Sequence, residues 1–258
     1  MSGSIIVMLF VALAALAPYA PLRGQLSERL QEPSAAHWFG TDELGRDVLS
    51  RVLYGARISL QIQVAAVGLA LVLGTALGVV AGYIGRWPDM LIMRVVDIMM
   101  AFPGIFLALA IIAALGTGLG NVILASAIFL VPQFARVVRG SVLTLKEKEF
   151  VEAARALGED DVTIVMRYLL PNSLAPIIVQ TSLRMATVLL TASGLSFLGL
   201  GVQPPSPEWG AMLSHARAYM ITAPHVATMP GLAIMLVVLG FNLLGDGLRD
   251  ALDPRLRE

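Results

Sequence analysis

The sequence predicts an all-α protein, a polytopic transmembrane helical bundle of about six spans, and three observations carry that expectation. Hydrophobic residues fill 57% of 258 positions and charged ones 14%, with a mean hydropathy of +0.79, a composition unsuited to a surface facing water. No charge interrupts the stretch between Arg57 and Arg86, and none interrupts the 38 residues between Asp97 and Arg136. As one helix the second stretch would reach about 57 Å against roughly 30 Å of hydrocarbon, so it must hold two spans. Gly116-Thr117-Gly118-Leu119-Gly120-Asn121 supplies the turn between them.

The first apolar run, 4–17, is short and has no basic region before it, and Ala12-Leu13-Ala14 or Ala15-Leu16-Ala17 could serve as a signal-peptidase site. A cleaved signal competes with a retained helix over 1–20. The retained helix is preferred because everything downstream is also membrane-embedded and needs no separate export signal. Residues 21–57 follow as an extramembrane segment, with five basic and five acidic residues and Pro21, Pro33 and Gly40 among them.

The core transmembrane domain is then expected over 58–258, beginning with a second span at about 58–83. Within that span Ala66, Ala70, Gly74, Gly78 and Gly82 recur every four positions, which puts small side chains on one stripe where another helix can approach closely. That helix could belong to this chain or to a partner subunit. The third span is expected at about 95–115, with Asp97 and Pro103 in its opening turns where proline is tolerated, and the fourth at about 122–138. A charged stretch at 139–167, a fifth span at 173–200, a Pro-rich segment at 203–225 and a sixth span at 227–244 complete the chain.

Six spans put both termini on one side of the membrane. If the loop between spans two and three, the 139–167 stretch and the C-terminal tail are inside, the inner side holds eleven Lys or Arg and the outer side six. The positive-inside rule selects that orientation.

The inner stretch has a structure of its own. Residues 146–157 form helices readily and contain no Gly or Pro, Gly158 is a natural C-terminal stop, and Asp160-Asp161 suit the first turn of a second helix. On that second helix Val162, Val165, Met166 and Leu169 form an apolar face, with Glu159, Thr163 and Arg167 in water. By itself such a pattern specifies only a surface helix.

Three stretches are similar to a known family. Glu152-Ala153-Ala154, then Gly158, and a close on Leu170-Pro171, resemble the cytoplasmic loop signature, the EAA motif, of ABC importer permeases, with Tyr168 where many members have Ile. His37-Trp38-Phe39-Gly40-Thr41-Asp42-Glu43-Leu44-Gly45-Arg46-Asp47, followed by Tyr54-Gly55-Ala56-Arg57, resembles the opening of the C-type subunits of dipeptide, oligopeptide and nickel importers. So does the ending, Leu244-Gly245-Asp246-Gly247-Leu248-Arg249-Asp250-Ala251-Leu252-Asp253-Pro254. The likeness runs from about His37 to the end.

That resemblance implies a MetI-like permease fold in a bacterial or archaeal cytoplasmic membrane with cytoplasmic termini. It implies that the chain is half of a pathway for a peptide or similar small solute. The implied partners are a homologous B-type permease, two cytoplasmic ATPase subunits that bind ATP and magnesium, an extracytoplasmic substrate-binding protein and membrane lipid. It also implies a coupling loop at 139–172 in which Glu152, Ala153, Ala154, Gly158, Leu170 and Pro171 meet an ATPase subunit.

The chain also departs from the pattern of that family within the expected fifth span. Many relatives carry Glu three positions before Leu195-Ser196-Phe197-Leu198-Gly199-Leu200-Gly201, where this chain has Ala192, and Arg184 stands eight residues earlier within the expected fifth span. A cation at that depth is costly, so it either faces a water-filled path or snorkels to the inner interface. Arg184 is therefore the pathway candidate.

Other chemistry is excluded on composition. Absence of cysteine removes disulfides, thiolate nucleophiles and Cys-ligated zinc. A net charge of zero without a basic run interleaved with aromatics gives no nucleic-acid surface. His37, His215 and His225 are too scattered for a metal site, and the Pro204-Pro205-Ser206-Pro207-Glu208-Trp209-Gly210 run reads as a rigid outer cap with an interfacial Trp that could meet the binding protein. The only lysines, Lys146 and Lys148, do not follow a Gly-rich phosphate loop, so the chain holds no ATPase of that kind, and no cofactor of its own is expected. An ion-gradient-driven secondary transporter is the alternative, but it would show inverted repeats and intramembrane acids, and no clear repeat is present. No catalytic grouping of Ser, His and Asp or paired carboxylates converges within the spans.

Overall fold

A computed structural model describes residues 20–252, and among these the regular elements are helices, with isolated bridges at Gly24–Arg46 and Thr41–Asp47. The expected first helix over 1–20 falls almost wholly outside the described residues, as does the end of the C-terminal motif.

Helix α1, Val48–Ile84, is 37 residues long and starts about ten residues before the expected span. Its start is fixed by Asp47, whose Oδ2 accepts from the Ser50 N–H and the Ser50 hydroxyl, both at 2.7 Å. The preceding loop sheathes these opening turns. The Asp42 carboxylate accepts from Leu44 N at 2.9 Å and from Arg46 Nε at 2.7 Å, and Arg51 Nε lies 3.2 Å from it. Helix α1 therefore leaves a folded polar cap before it enters lipid, and at about 1.5 Å per residue it is longer than the hydrocarbon is thick.

The expected third span is not one helix. Helix α2, Arg86–Ala101, and helix α3, Gly104–Leu115, meet at a bend of 95°. Pro103 causes the break rather than opening a span: it lacks an N–H and drives Phe102 out of the α region, to ψ 136. Asp97 lies on α2, where its Oδ1 accepts from Arg136 Nη2 at 2.5 Å.

Helix α4, Leu119–Leu145, runs parallel to α1, because contacts advance together along both. A Cβ on Gly74 would lie 2.5 Å from Phe134 Cβ, one on Gly78 2.6 Å from the Ala135 carbonyl oxygen, and one on Gly82 2.9 Å from Val142 Cβ. The small-residue stripe is thus occupied by a helix of this same chain. Two charge-assisted contacts lock its far end: Arg139 donates to both oxygens of Asp89 on α2, at 2.5 and 2.6 Å, and Lys146 Nζ donates to the Gly82 carbonyl at 3.1 Å.

After the short helix α5, Glu149–Ala156, and an irregular helical run, α6, Leu174–Phe197, crosses back. Helix α7, Trp209–Ala216, caps that side, and α8, His225–Leu252, makes the last crossing. Glu208 caps α7 with Oε1 accepting from Gly210 N at 3.0 Å and Oε2 from Ala211 N at 2.9 Å. Burial pushes its carboxyl upward, the largest influence on it, while these N–H groups and the Ser196 and Ser193 hydroxyls pull the other way. Trp209 is fully buried, and its Nε1 donates to the Val52 carbonyl at 2.9 Å. His225 Nε2 lies 3.2 Å from the Thr41 carbonyl oxygen. The loop before α1, α7 and the start of α8 therefore form one end of the bundle, the Trp209 face.

Among the described residues, four helices are long and apolar enough to cross a membrane, and the bent α2–α3 pair brings the number to five. The chain is an all-α multi-pass membrane protein. Gly78→Leu is expected to destabilise it by about 1–3 kcal/mol through overpacking against α4, read as a lower melting temperature and less monodisperse protein in detergent. The same change at Gly68, where a Cβ would meet nothing within 4 Å, is expected to be tolerated.

Candidate functional site

At the end opposite Trp209 the chain builds a small elbow between α4 and α6. Helix α5 carries Glu149 and Glu152 in its first turn and Arg155 in its last, matching the helix dipole at both ends. It ends in a Schellman motif: Glu159 N donates to the Ala154 carbonyl at 3.1 Å and Gly158 N to that of Arg155 at 3.0 Å. Gly158 sits at φ +84, a region in which side chains with a Cβ are strained.

The second arm is not the regular amphipathic helix expected from the sequence. It comprises a turn at Asp161–Thr163, a π-helical stretch at Ile164–Leu169 and a turn at Leu170–Asn172. Pro171 has no N–H to continue the α ladder and its ring crowds the preceding carbonyls, so the turn widens. Widening changes the register. Ile164 and Leu169, five apart, are both fully buried, whereas Val162 and Met166 from the expected apolar face are 69% and 60% exposed.

The buried side of the elbow is a compact cluster. Val151 and Ala154 of α5 pack with Ile164 and Leu169 against Val138 and Val142 of α4, Ile177 of α6, and Val79 and Tyr83 of α1. Polar ties reinforce it: the Tyr83 hydroxyl donates to Asp161 Oδ1 at 2.5 Å, the Arg155 guanidinium lies 5.8 Å over the Tyr83 ring, and the Tyr168 hydroxyl donates to Glu159 Oε1 at 2.9 Å. The hydrogen bond to Glu159 holds the Tyr168 phenol pKa above its ordinary value, and the Thr163 hydroxyl holds Asp160 below the usual carboxylate range.

The other side of the elbow is open, Arg155 alone reaching back to Tyr83. Glu152, Ala153, Arg155 and Ala156 are exposed, Leu157 is 83% exposed, and a Cβ on Gly158 would meet nothing within 4 Å. Of the residues expected to form the loop contact, Glu152, Ala153 and Gly158 share this open surface, Ala154 turns inward, Leu170 is half-buried and Pro171 is exposed at the root of α6.

Arg184 lies elsewhere, ten residues into α6 and half-buried. With the Gln180 amide oxygen turned towards it, that oxygen accepts from Arg184 Nε at 2.8 Å and Nη2 at 3.0 Å. Sequence reasoning singled out Arg184 for its charge but passed over Gln180, Thr187 and Thr191, which share its face at spacings of four, three and four. That spacing of polar residues on an apolar helix was the available signal. It also passed over Tyr83, whose role depends on residues far along the chain.

The family model for binding-protein-dependent transport system inner membrane components matches residues 74–258. A dipeptide transport system permease protein, DppC, of Alkalihalophilus pseudofirmus is 54% identical over 261 residues, covering 99% of this chain and 85% of that protein. A glutathione transport system permease protein, GsiD, of Pectobacterium atrosepticum is 51% identical over 261 residues, covering 99% and 87%. Among solved structures, an inward-facing conformation of the MetNI methionine ABC transporter superposes with a TM-score of 0.62 at 22% identity, over 78% of this chain and 96% of that one. An amino acid ABC transporter with histidines gives 0.60 at 14% identity, over 78% and 94%. These two likenesses concern the fold.

The burial pattern sets an expected contrast in thermal unfolding. Leu169→Ala is expected to cost about 2–5 kcal/mol, the range for a buried Leu, while Leu157→Ala stays within about 0.5 kcal/mol because that side chain meets only solvent in the isolated chain.

Proposed function

We infer the function of this chain from its family: it belongs to the binding-protein-dependent transport system inner membrane components. It is a multi-pass membrane permease subunit of an ATP-binding-cassette importer, and it is not an enzyme. Its cargo is a peptide or a similar small solute, a reading supported by the names of its relatives. A homologous B-type permease completes the pathway, an extracytoplasmic binding protein delivers the solute, and two ATPase subunits bind ATP and magnesium and supply the work.

The observation that carries this reading is the two-sided elbow. Its inner side is packed into the ends of α1, α4 and α6, and its outer side, with Glu152, Ala153, Leu157 and Gly158, is open. A motor that grips the open side moves three spanning helices together, because the packed side resists deformation. Ala153 and Gly158 let a partner surface come close. Arg184 faces the solute path. The Gly158 face is cytoplasmic, a placement supported by the excess of Lys and Arg around it, and the Trp209 face meets the binding protein. A secondary transporter has no use for such an elbow, and no observation favours that reading.

Gly158→Asn separates turn geometry from close approach, since Asn tolerates positive φ but adds a side chain to the open surface. In the assembled transporter reconstituted into proteoliposomes, the variant is expected to assemble and hydrolyse ATP but to take up a labelled dipeptide at least about tenfold more slowly, a loss of about 1.4 kcal/mol in coupling. Uptake at the unaltered rate overturns the assignment. Orientation has its own check in this cysteine-free chain. In Leu157→Cys, a membrane-impermeant thiol reagent is expected to label inverted vesicles and not intact cells, and the reverse pattern would place the elbow outside.

A further inference from the structure

Helix α6 is apolar enough to span a membrane, yet one of its faces is polar through its middle three turns, from Gln180 to Thr191. Gln180, Arg184, Thr187 and Thr191 form a single stripe, and all four are half-buried. Lipid is a poor neighbour for such a stripe, because amides and guanidinium groups lose their hydration there.

The hydrogen bonds within the stripe determine what it can still bind. Thr187 Oγ1 donates to the Leu183 carbonyl at 3.2 Å and Thr191 Oγ1 to the Thr187 carbonyl at 2.9 Å. Each hydroxyl proton is therefore engaged, and only lone pairs face outward. The Gln180 oxygen occupies Nε and one proton of Nη2 of Arg184. A guanidinium has five N–H groups, so the remaining three are left without an acceptor from Gln180. Among the described residues, no carboxylate lies within 4.0 Å of Arg184, the distance at which Arg46, Arg51, Arg136 and Arg139 all find acids.

We infer that this stripe is a carboxylate-recognition station in the solute path, with Arg184 held in place by Gln180 and presenting its free N–H groups to the solute's carboxylate. This inference rests on the placement of α6 along the path proposed above. A cationic solute would be repelled, and a neutral one would leave the guanidinium unbalanced. A single guanidinium neutralises a monoanion, whereas a dianionic phosphate would keep half its charge. The planar fork matches the two oxygens of a carboxylate. One and two turns further along, at about 5 and 10 Å of helix rise, Thr187 and Thr191 offer lone pairs to N–H donors of the same solute. The station therefore suits a molecule bearing both a carboxylate and amide or amine groups. A lone fork without a second cation also releases what it holds, as passage requires.

The absence of cysteine makes a direct test available. Thr187→Cys is introduced into the assembled transporter in membrane vesicles, and labelling rates are measured for an anionic sulfonate and a cationic trimethylammonium methanethiosulfonate. Each rate is normalised to the reaction of the same reagent with 2-mercaptoethanol. The anionic reagent is expected to be favoured by about tenfold, the effect of one nearby charge in a partly hydrated setting. Adding Arg184→Gln is expected to abolish the preference, and adding Arg184→Lys to keep most of it. Equal normalised rates with Arg184 intact would overturn the carboxylate assignment while leaving α6 on the path. Failure of both reagents to reach the thiol would overturn the placement on the path and the inference together.

Discussion

The close parallel contact of α1 with α4 is the constraint on which the rest of this molecule depends. Hydrocarbon gives two apolar helices no solvophobic reason to associate, so their attraction must come from dispersion at short range and from polar groups at the ends. Gly74, Gly78 and Gly82 allow that range by bringing the α4 backbone and its Cβ atoms to where a side chain would otherwise stand. Arg139 with Asp89, and Lys146 with the Gly82 carbonyl, fix the register at the far end. Because the two helices run in the same direction, both end at the same level. The bent α2–α3 pair returns the chain between them, with its 95° corner at Pro103.

That shared level is what gives the elbow a floor. Val79 and Tyr83 from α1 meet Val138 and Val142 from α4, and Ile177 from α6 closes the third side. Ile164 and Leu169 drop into the resulting pocket only because the π-helical register puts residues five apart on one side. The elbow is thereby packed against three spanning helices at once. The surface itself is left open, with Ala153 and Gly158 at its centre and Leu157 extended beside them.

At the other end, polar groups are handled differently. Asp42, Asp47, Arg46 and Arg51 are all buried, but each is paired within the loop that covers the start of α1. Glu208 and Trp209 are buried with their polar atoms bonded to backbone groups of α7 and α1. This end is a rigid lid in which polar burial is compensated locally. Arg184 contrasts with it, since its bonds reach only the neutral amide of Gln180.

The sequence by itself determined the solvent, the all-α class and the family resemblance. Uncharged stretches of sufficient length can only be membrane helices, because every backbone group in lipid must be satisfied within its own segment. The helical loop with its stop at Gly158 was legible for a similar reason, since a Gly in a left-handed turn after a helix is a local requirement. Local rules did not extend to the bend at Pro103, which sequence position alone placed in a first turn, or to the face that the second arm of the elbow buries, which depends on a widened turn rather than on a 3.6-residue period. Nor could they say whether the glycine stripe met this chain or another, or that Tyr83 would reach Asp161. Those were decided by tertiary structure, because each depends on which distant segment arrives as a neighbour, and the spacing of residues along one helix carries no information about that.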